Sequence, residues 1–280
     1  MRNLKIIFSL FFLISIGFSA NSQVLKKLKK AVEESVSKST NEKSEEETNK
    51  MLEGMMGALG EPADVEESYA FSGFMILEIT STNSRGKSED PVRMKSFLSE
   101  NPDFSGIEIQ DPDQEEMKTV LIMDLKNQAT VLLMDDGERK SSMAIGSDFD
   151  KIQEQVDLNS TEESAPDQIK ITKTGNTKEI LGFHCEEYEV EQPEGKGTYW
   201  VSQEAIKGFS LFSPGSSPMV SNKTMDRYQE IFSSMPKGSI LEMHYLDKDG
   251  SSADMKTIDL QTSSPSLFNL QEYPNVFQGK

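Results

Sequence analysis

The sequence predicts an α+β fold: a curved antiparallel β-sheet with a few covering helices, preceded by an N-terminal helical segment. Short runs of alternating, β-branched and aromatic residues follow one another from Tyr69 to Leu260, separated by tight-turn residues. Such a pattern is typical of consecutive hairpins. Parallel strands would need long helical crossovers between these runs, and the sequence does not have them. A few other segments carry apolar residues at helical spacing.

Residues 1–22 are predicted to be a signal peptide. Arg2 and Lys5 form a basic start, residues 6–18 are almost wholly apolar, and small residues occupy the −3 and −1 positions before Gln23. The apolar run is shorter than the roughly 20 residues that span a bilayer, which favours cleavage over a retained anchor. No Cys lies near the cleavage site, so we expect a periplasmic or secreted protein that is not a lipoprotein. No later stretch is apolar enough to be a transmembrane segment.

Residues 23–64 are predicted to hold an amphipathic helix, a flexible polar linker and a Met-rich helix. Over 24–37, leucines and valines fall at helical spacing opposite four lysines. This helix either makes peripheral contact with an anionic membrane or packs, partly solvated, on the domain that follows. The methionines before Pro62 are interpreted as an adaptable apolar patch rather than a Cu(I) site.

Residues 65–280 are predicted to form the antiparallel β-sheet domain. Helices are expected at 149–156 and 221–235, and a turn at 174–176 is expected to separate two strands. The predicted strands lie at 71–80, 92–98, 107–109, 119–125, 129–134, 140–145, 169–171, 183–190, 198–201, 240–246 and 253–260.

The charge of the chain limits the classes of partner that it is expected to bind. The formal net charge is −18, and an acidic protein repels nucleic acid and anionic lipid headgroups. Nucleic acid is therefore not expected as a partner. The single Cys cannot form an internal disulfide, so stability must come from a packed core.

No set of residues points to catalysis, and we expect no catalytic residue, metal or cofactor. His184 and Cys185 are adjacent on a predicted strand and therefore point to opposite faces, so they cannot act as base and nucleophile together. We interpret Cys185 as a buried free thiol. The segment 247–250 resembles a calcium loop only faintly, because an EF-hand needs Gly at its sixth position and Glu at its twelfth. A hairpin turn explains it better.

The predicted strands are rich in Met and Phe, which leaves two interpretations. These residues could line a flexible cavity for a lipid or acyl chain, or they could be ordinary core. The predicted 221–235 helix is a candidate lid over such a cavity. The candidate cavity residues are Met75, Met94, Phe97, Met123, Met134, Met225, Tyr228, Phe232 and Met243.

One segment carries a family resemblance. The pattern K-x-I-x-G-[YF]-x-C-x-x-Y is matched by Lys178, Ile180, Gly182, Phe183, Cys185 and Tyr188, with Leu181 between Ile180 and Gly182. This pattern and the segments 198–202 and 235–238 carry the resemblance. Through them, residues 65–275 resemble the domain of unknown function 4412 family of exported bacterial proteins.

That family in turn resembles, more distantly, the LolA and LolB lipoprotein carriers. The resemblance implies a half-open barrel and the binding of a hydrophobic ligand in the periplasm. It does not identify any ligand contact. The alternative is a structural or protein-interaction module of the envelope, with an envelope protein as partner.

Overall fold

The computed structural model describes residues 61–110, 118–147, 149, 169–206 and 238–275. Within these ranges the protein is mostly β, with one short 3-10 helix at Leu270–Glu272. The strands are β1 (Ser68–Phe71), β2 (Gly73–Thr82), β3 (Val92–Leu98), β4 (Phe104–Gln110), β5 (Lys118–Asp124), β6 (Ala129–Asp135), β7 (Lys140–Gly146), β8 (Lys170–Ile180), β9 (Phe183–Gln192), β10 (Gly195–Ser202), β11 (Ser239–Asp247), β12 (Ser252–Gln261) and β13 (Ser266–Asn269).

Eleven of these strands form one antiparallel sheet that is curved and not closed. Strands β2 to β7 follow one another as a meander to one edge of the sheet. The chain then continues at the opposite edge with β8, and β8 to β12 return as a second meander until β12 pairs with β2. Strands β1 and β13 form a separate antiparallel pair. The prediction of an antiparallel sheet is confirmed.

Apart from Phe149, which is helical, the described residues show none of the predicted helices, so the fold there is mostly β rather than α+β. The predicted helix at 24–37, the Met-rich helix and the helix at 221–235 lie outside the described ranges, as does 149–156 apart from Phe149. The predicted signal peptide at 1–22 lies outside them too. In the part of the chain that is described, no helix is both long and apolar enough to cross a membrane.

The turn predicted at 174–176 is wrong. Strand β8 continues through it, and the pairing with β9 shifts between Lys173 and Thr177. A β-bulge of this kind accommodates turn-forming residues without ending the strand, and Gly175 adopts the required positive φ of 87°. The side chains of Thr174 and Asn176 both donate to a carboxylate oxygen of Glu187, which fixes the bulge onto the neighbouring strand.

The chain instead reverses at Leu181 and Gly182, between β8 and β9. Both residues have positive φ, 53° and 81°, as a two-residue type I′ hairpin requires. Glycine adopts this conformation freely, whereas leucine rarely does. Only the second of the two turn residues is therefore of a type that predicts such a hairpin. Leu181 is also 46% exposed at the tip of the hairpin.

An aromatic cluster joins the β1–β13 pair to the large sheet. Phe71 on β1 packs on Phe97 and Phe104 with ring centroids 5.0 Å and 5.4 Å apart. Phe268 on β13 packs edge-on against Phe97 at 5.3 Å. Edge-to-face packing of this kind stabilises aromatic pairs beyond the effect of area burial alone. The β1–β13 pair therefore covers one face of β3 to β6.

A buried carboxylate fixes the same layer. Asp124, at the end of β5, is 1% exposed and accepts a hydrogen bond of 2.6 Å from the Tyr69 hydroxyl. It also accepts bonds from the backbone and side-chain nitrogens of Asn127, at 2.9 Å and 2.8 Å. Both carboxylate oxygens are therefore satisfied, which is the condition for burying such a group at tolerable cost. Burial and the bond to Asp124 raise the pKa of Tyr69.

Candidate functional site

The strand register assigns each side chain to one of two faces of the large sheet. Met75 pairs with Ser96, Ser96 with Ile107, Ile107 with Leu121, and Leu121 with Leu132. Directly paired residues of an antiparallel sheet project from the same face, and so do residues two apart on one strand. We call the face that carries this row the methionine face. We call the opposite face, on which β1 and β13 pack, the aromatic face.

Every methionine in the described ranges lies on the methionine face. Their cross-strand pairs connect them directly: Leu77 pairs with Met94, and Met243 with Met255. All are buried, from 0% exposed for Met75 to 9% for Met134. The seven residues are Met75, Met94, Met123, Met134, Met143, Met243 and Met255.

The methionine face is almost free of charge. Across the nine neighbouring strands from β7 to β10, the register places one charged residue on it, Asp247 at the β11–β12 turn. Charged residues otherwise appear only on the last two strands, where Lys173 and Glu186 form an ion pair of 2.7 Å. Charged residues make up 27% of the whole chain, so they are strongly under-represented on this face.

Four buried polar side-chain atoms have no hydrogen-bond partner in the described part of the chain, and all four lie on the methionine face. They are the hydroxyls of Ser96, Ser105 and Thr257 and the side-chain oxygen of Gln192. Ser96 is 0% exposed, Ser105 4% and Thr257 5%. A buried polar group without a partner costs about 1–3 kcal/mol, so these hydroxyls need an explanation.

Three buried polar side chains on β9 to β11 of this face are uncharged: Gln192, Tyr199 and Tyr245. Gln192 donates a hydrogen bond of 2.9 Å from Nε2 to the Tyr245 hydroxyl. Burial raises the pKa of Tyr245 to about 12 and also raises that of Tyr199, so both stay neutral at physiological pH. The Tyr199 ring lies so close to Gly197 that a side chain at Gly197 would overlap it.

The structure brings five of the predicted cavity residues together on one face and separates a sixth. Met75, Met94, Met123, Met134 and Met243 lie on the methionine face. Phe97 lies on the aromatic face, within the cluster under β1 and β13. Met225, Tyr228 and Phe232 lie outside the described residues.

Sequence reasoning did not identify the unpartnered hydroxyls, although one signal was present. In the run from Met94 to Leu98, Ser96 has the same period-2 phase as the two apolar residues that flank it. A polar residue in the buried phase of a strand is unusual and could have been noticed.

The predicted chemistry at Cys185 agrees with its surroundings. Cys185 is 0% exposed, and burial raises the pKa of its thiol, whereas its neighbour His184 is exposed. The thiol contacts the carbonyl oxygen of Phe183 at 3.5 Å. Among the described residues, no group of three or more His, Cys, Asp or Glu is placed to hold a metal ion. The interpretation of 247–250 as a hairpin turn is confirmed, because this segment connects β11 to β12.

A separate groove of about 550 Å³ lies beside β1 and is open to solvent. Glu66, Asp124 and Lys126 contribute to its lining. These groups are already engaged: Lys126 donates to Glu66 at 2.7 Å, and Asp124 is satisfied by Tyr69 and Asn127. The methionine face, with its unpartnered polar atoms, is therefore the stronger candidate for a binding site.

Comparison with known proteins gives a family but no function. No curated protein matches the chain. Among solved structures, PNGF-II in a C2 crystal form has 13% identity and a TM-score of 0.32 over 74% of this chain and 30% of its own. A P21 crystal form of PNGF-II has 10% identity and a TM-score of 0.27, over 70% and 28%. The chain thus spans less than a third of the length of that protein.

The family comparison covers most of the chain. A sequence profile described as a domain of unknown function, DUF4412, matches residues 71–272, from the end of β1 to the 3-10 helix. That range contains the whole eleven-stranded sheet and therefore both of its faces. The chain belongs to the DUF4412 family.

Proposed function

We propose that this protein is a non-catalytic module that binds a hydrophobic, lipid-like ligand against the methionine face. The observation that carries the proposal is the placement of all seven described methionines on one nearly uncharged face of the sheet. Methionine is unbranched and flexible, so a surface built from it can change shape to accommodate a guest. Cores that only need to be stable favour Leu, Ile, Val and Phe, whose rotamers are better defined.

The other face of the sheet supports this choice by contrast. Its apolar part is already packed against β1 and β13 through aromatic rings. Beyond that layer it carries polar pairs, such as Lys178 with Glu242 at 2.8 Å and His244 with Asp254 at 2.8 Å. The apolar residues of that second part, Cys185 and Leu241 among them, are buried in a cluster of their own.

The hydrophobic effect gives the proposal a measurable signature. Each methylene group buried from water contributes about 0.8 kcal/mol. Affinity for a series of straight-chain amphiphiles should therefore rise severalfold per added methylene until the face is filled. Binding that does not depend on chain length would contradict an apolar binding surface.

A matched pair of variants tests which face binds. Met94→Gln places a polar side chain of similar size on the methionine face, and Phe97→Leu makes an apolar change on the aromatic face. We expect Met94→Gln to weaken binding of the apolar dye N-phenyl-1-naphthylamine about tenfold and Phe97→Leu to leave it unchanged. If the wild-type protein binds no dye and carries no lipid in native mass spectrometry, the proposal of a lipid-binding module fails. The alternative, a protein-interaction module of the envelope, would then be favoured.

We also propose that the protein is exported and that its signal peptide is removed before Gln23. The support is the basic start, the apolar run and the small residues Ala20 and Ser22. N-terminal sequencing of protein from the periplasmic fraction tests this. Mature protein that still begins at Met1 would rule it out.

A further inference from the structure

Two of the unpartnered hydroxyls lie next to each other on the methionine face. Ser96 on β3 pairs directly with Ile107 on β4, and Ser105 lies two residues before Ile107 on the same strand. Ser96 and Ser105 are therefore diagonal neighbours on adjacent strands, with Cα atoms about 7–8 Å apart. One small polar group placed between them can reach both hydroxyls.

Methionines surround this pair of hydroxyls. Met75 on β2 pairs directly with Ser96, and Met123 on β5 pairs directly with Ser105. Met94 precedes Ser96 by two residues on the same strand and so lies on the same face. The two hydroxyls thus form a small polar spot inside the most adaptable part of the face.

Among the described residues, the polar spot has no charged neighbour on its face. The nearest residues there are apolar, and the single charged residue between β7 and β10 is Asp247 at the β11–β12 turn. An anion bound at the spot would be buried without a cation to balance it, which is strongly unfavourable. A neutral group meets no such penalty, and a serine hydroxyl can both donate to it and accept from it.

We infer that Ser96 and Ser105 bind the polar group of an uncharged amphiphile. The ligand class is an apolar chain that carries one neutral hydrogen-bonding group, such as an amide, an ester or a hydroxyl, rather than a free carboxylate or phosphate. This inference rests on the proposed function, because it assigns a polar anchor to the same methionine face.

The test compares two probes with the same chain. Decanamide is neutral and decanoate is ionised at pH 8, and both can displace N-phenyl-1-naphthylamine from the full-length mature protein. We expect decanamide to displace the dye at a concentration at least tenfold lower than decanoate. This comparison needs only the wild-type protein, so it decides the question even if a variant fails to fold.

A double variant then assigns the preference to the two hydroxyls. Ser96→Ala with Ser105→Ala should weaken decanamide binding at least tenfold and should weaken dye binding far less. The matched control is Ser142→Ala, since Ser142 is also buried but lies on the aromatic face and donates to the carbonyl oxygen of Tyr273 at 2.8 Å. This control should bind decanamide as the wild type does.

The outcomes separate the two proposals. Equal displacement by decanamide and decanoate overturns the inference about the polar anchor, and so does a double variant that binds decanamide normally. In both cases dye binding would still support the methionine face as a hydrophobic site. Failure of the wild-type protein to bind the dye or either probe overturns both proposals together.

Discussion

The two faces of one sheet bury apolar residues in different ways. On the aromatic face, phenylalanine rings pack edge to face under a second layer, and the buried polar groups Asp124 and Ser142 have partners. On the methionine face, seven flexible methionines are buried among other apolar residues, and four buried polar atoms have no hydrogen-bond partner among the described residues. The first arrangement is that of a finished core. The second leaves buried polar groups without a hydrogen-bond partner, and this contrast motivates the proposed function.

The largest expected effect is the loss of an aromatic ring. Phe97→Ala should lower the free energy of unfolding by about 3–5 kcal/mol, because a void opens among rings that cannot rearrange. Met94→Ala should cost less, about 2 kcal/mol, since neighbouring methionines can move into the space. Urea unfolding monitored by circular dichroism measures both values. If both substitutions cost the same, the methionine face is packed as tightly as the aromatic face and the contrast is lost.

Removal of the buried carboxylate should have the next largest effect. Asp124→Ala should cost about 2–3 kcal/mol, because the Tyr69 hydroxyl and the Asn127 side chain lose their acceptor inside the protein. The control Tyr69→Phe removes only one of these bonds and should cost about 1–2 kcal/mol. The same urea series measures both. An Asp124→Ala protein as stable as the wild type would show that this network is not part of the core.

A pair of serine substitutions sharpens the comparison directly. Ser142→Ala should cost about 1 kcal/mol, because it removes a buried hydrogen bond on the aromatic face. Ser96→Ala, on the methionine face, should leave the stability of the ligand-free protein unchanged or raise it by up to about 1 kcal/mol, because its hydroxyl has no partner to lose. A clear loss of stability in ligand-free Ser96→Ala would show that the protein itself satisfies this hydroxyl.

A smaller effect is expected at alkaline pH. Burial raises the pKa of Tyr245 to about 12, whereas an exposed tyrosine has a pKa of about 10. The folded state therefore keeps this proton longer than the unfolded state, so the stabilisation is complete below pH 10 and is lost as pH rises towards 12. Between pH 8 and pH 11, the urea concentration at the midpoint of unfolding should fall further for the wild type than for Tyr245→Phe. Equal falls would mean that Tyr245 ionises as an exposed tyrosine does.

Much of the sheet could be predicted from the sequence because alternation and turn residues act locally. Strand β3 was predicted with the bounds that the structure gives, Val92–Leu98. The bulge at Gly175 was mistaken for a turn because the same residue types serve both, and only pairing with β9 distinguishes them. The pairing of β2 with β12 joins distant parts of the chain, and no local pattern specifies it.

The candidate site could be predicted only in part for the same reason. Alternation shows which residues of one strand lie on the same side as each methionine. Whether methionines of two different strands lie on the same face depends on the register between those strands. Met94 and Phe97 are three residues apart and therefore had to lie on opposite faces of one strand, yet sequence reasoning placed both in one cavity. The lack of partners for Ser96 and Ser105 depends on all their neighbours in space and emerges only from the fold.

The most direct test of the central claim is nuclear magnetic resonance of the protein labelled with 13C at its methionine methyl groups and its phenylalanine rings. Single Met→Leu substitutions assign the signals, and decanamide is then added in steps. We expect saturable shifts of the signals of Met75, Met94 and Met123, which surround the two serines, and no change in the signals of the phenylalanine rings of the aromatic face. If no methionine signal moves at saturating decanamide, or if the aromatic-face rings respond instead, the methionine face is not the binding surface.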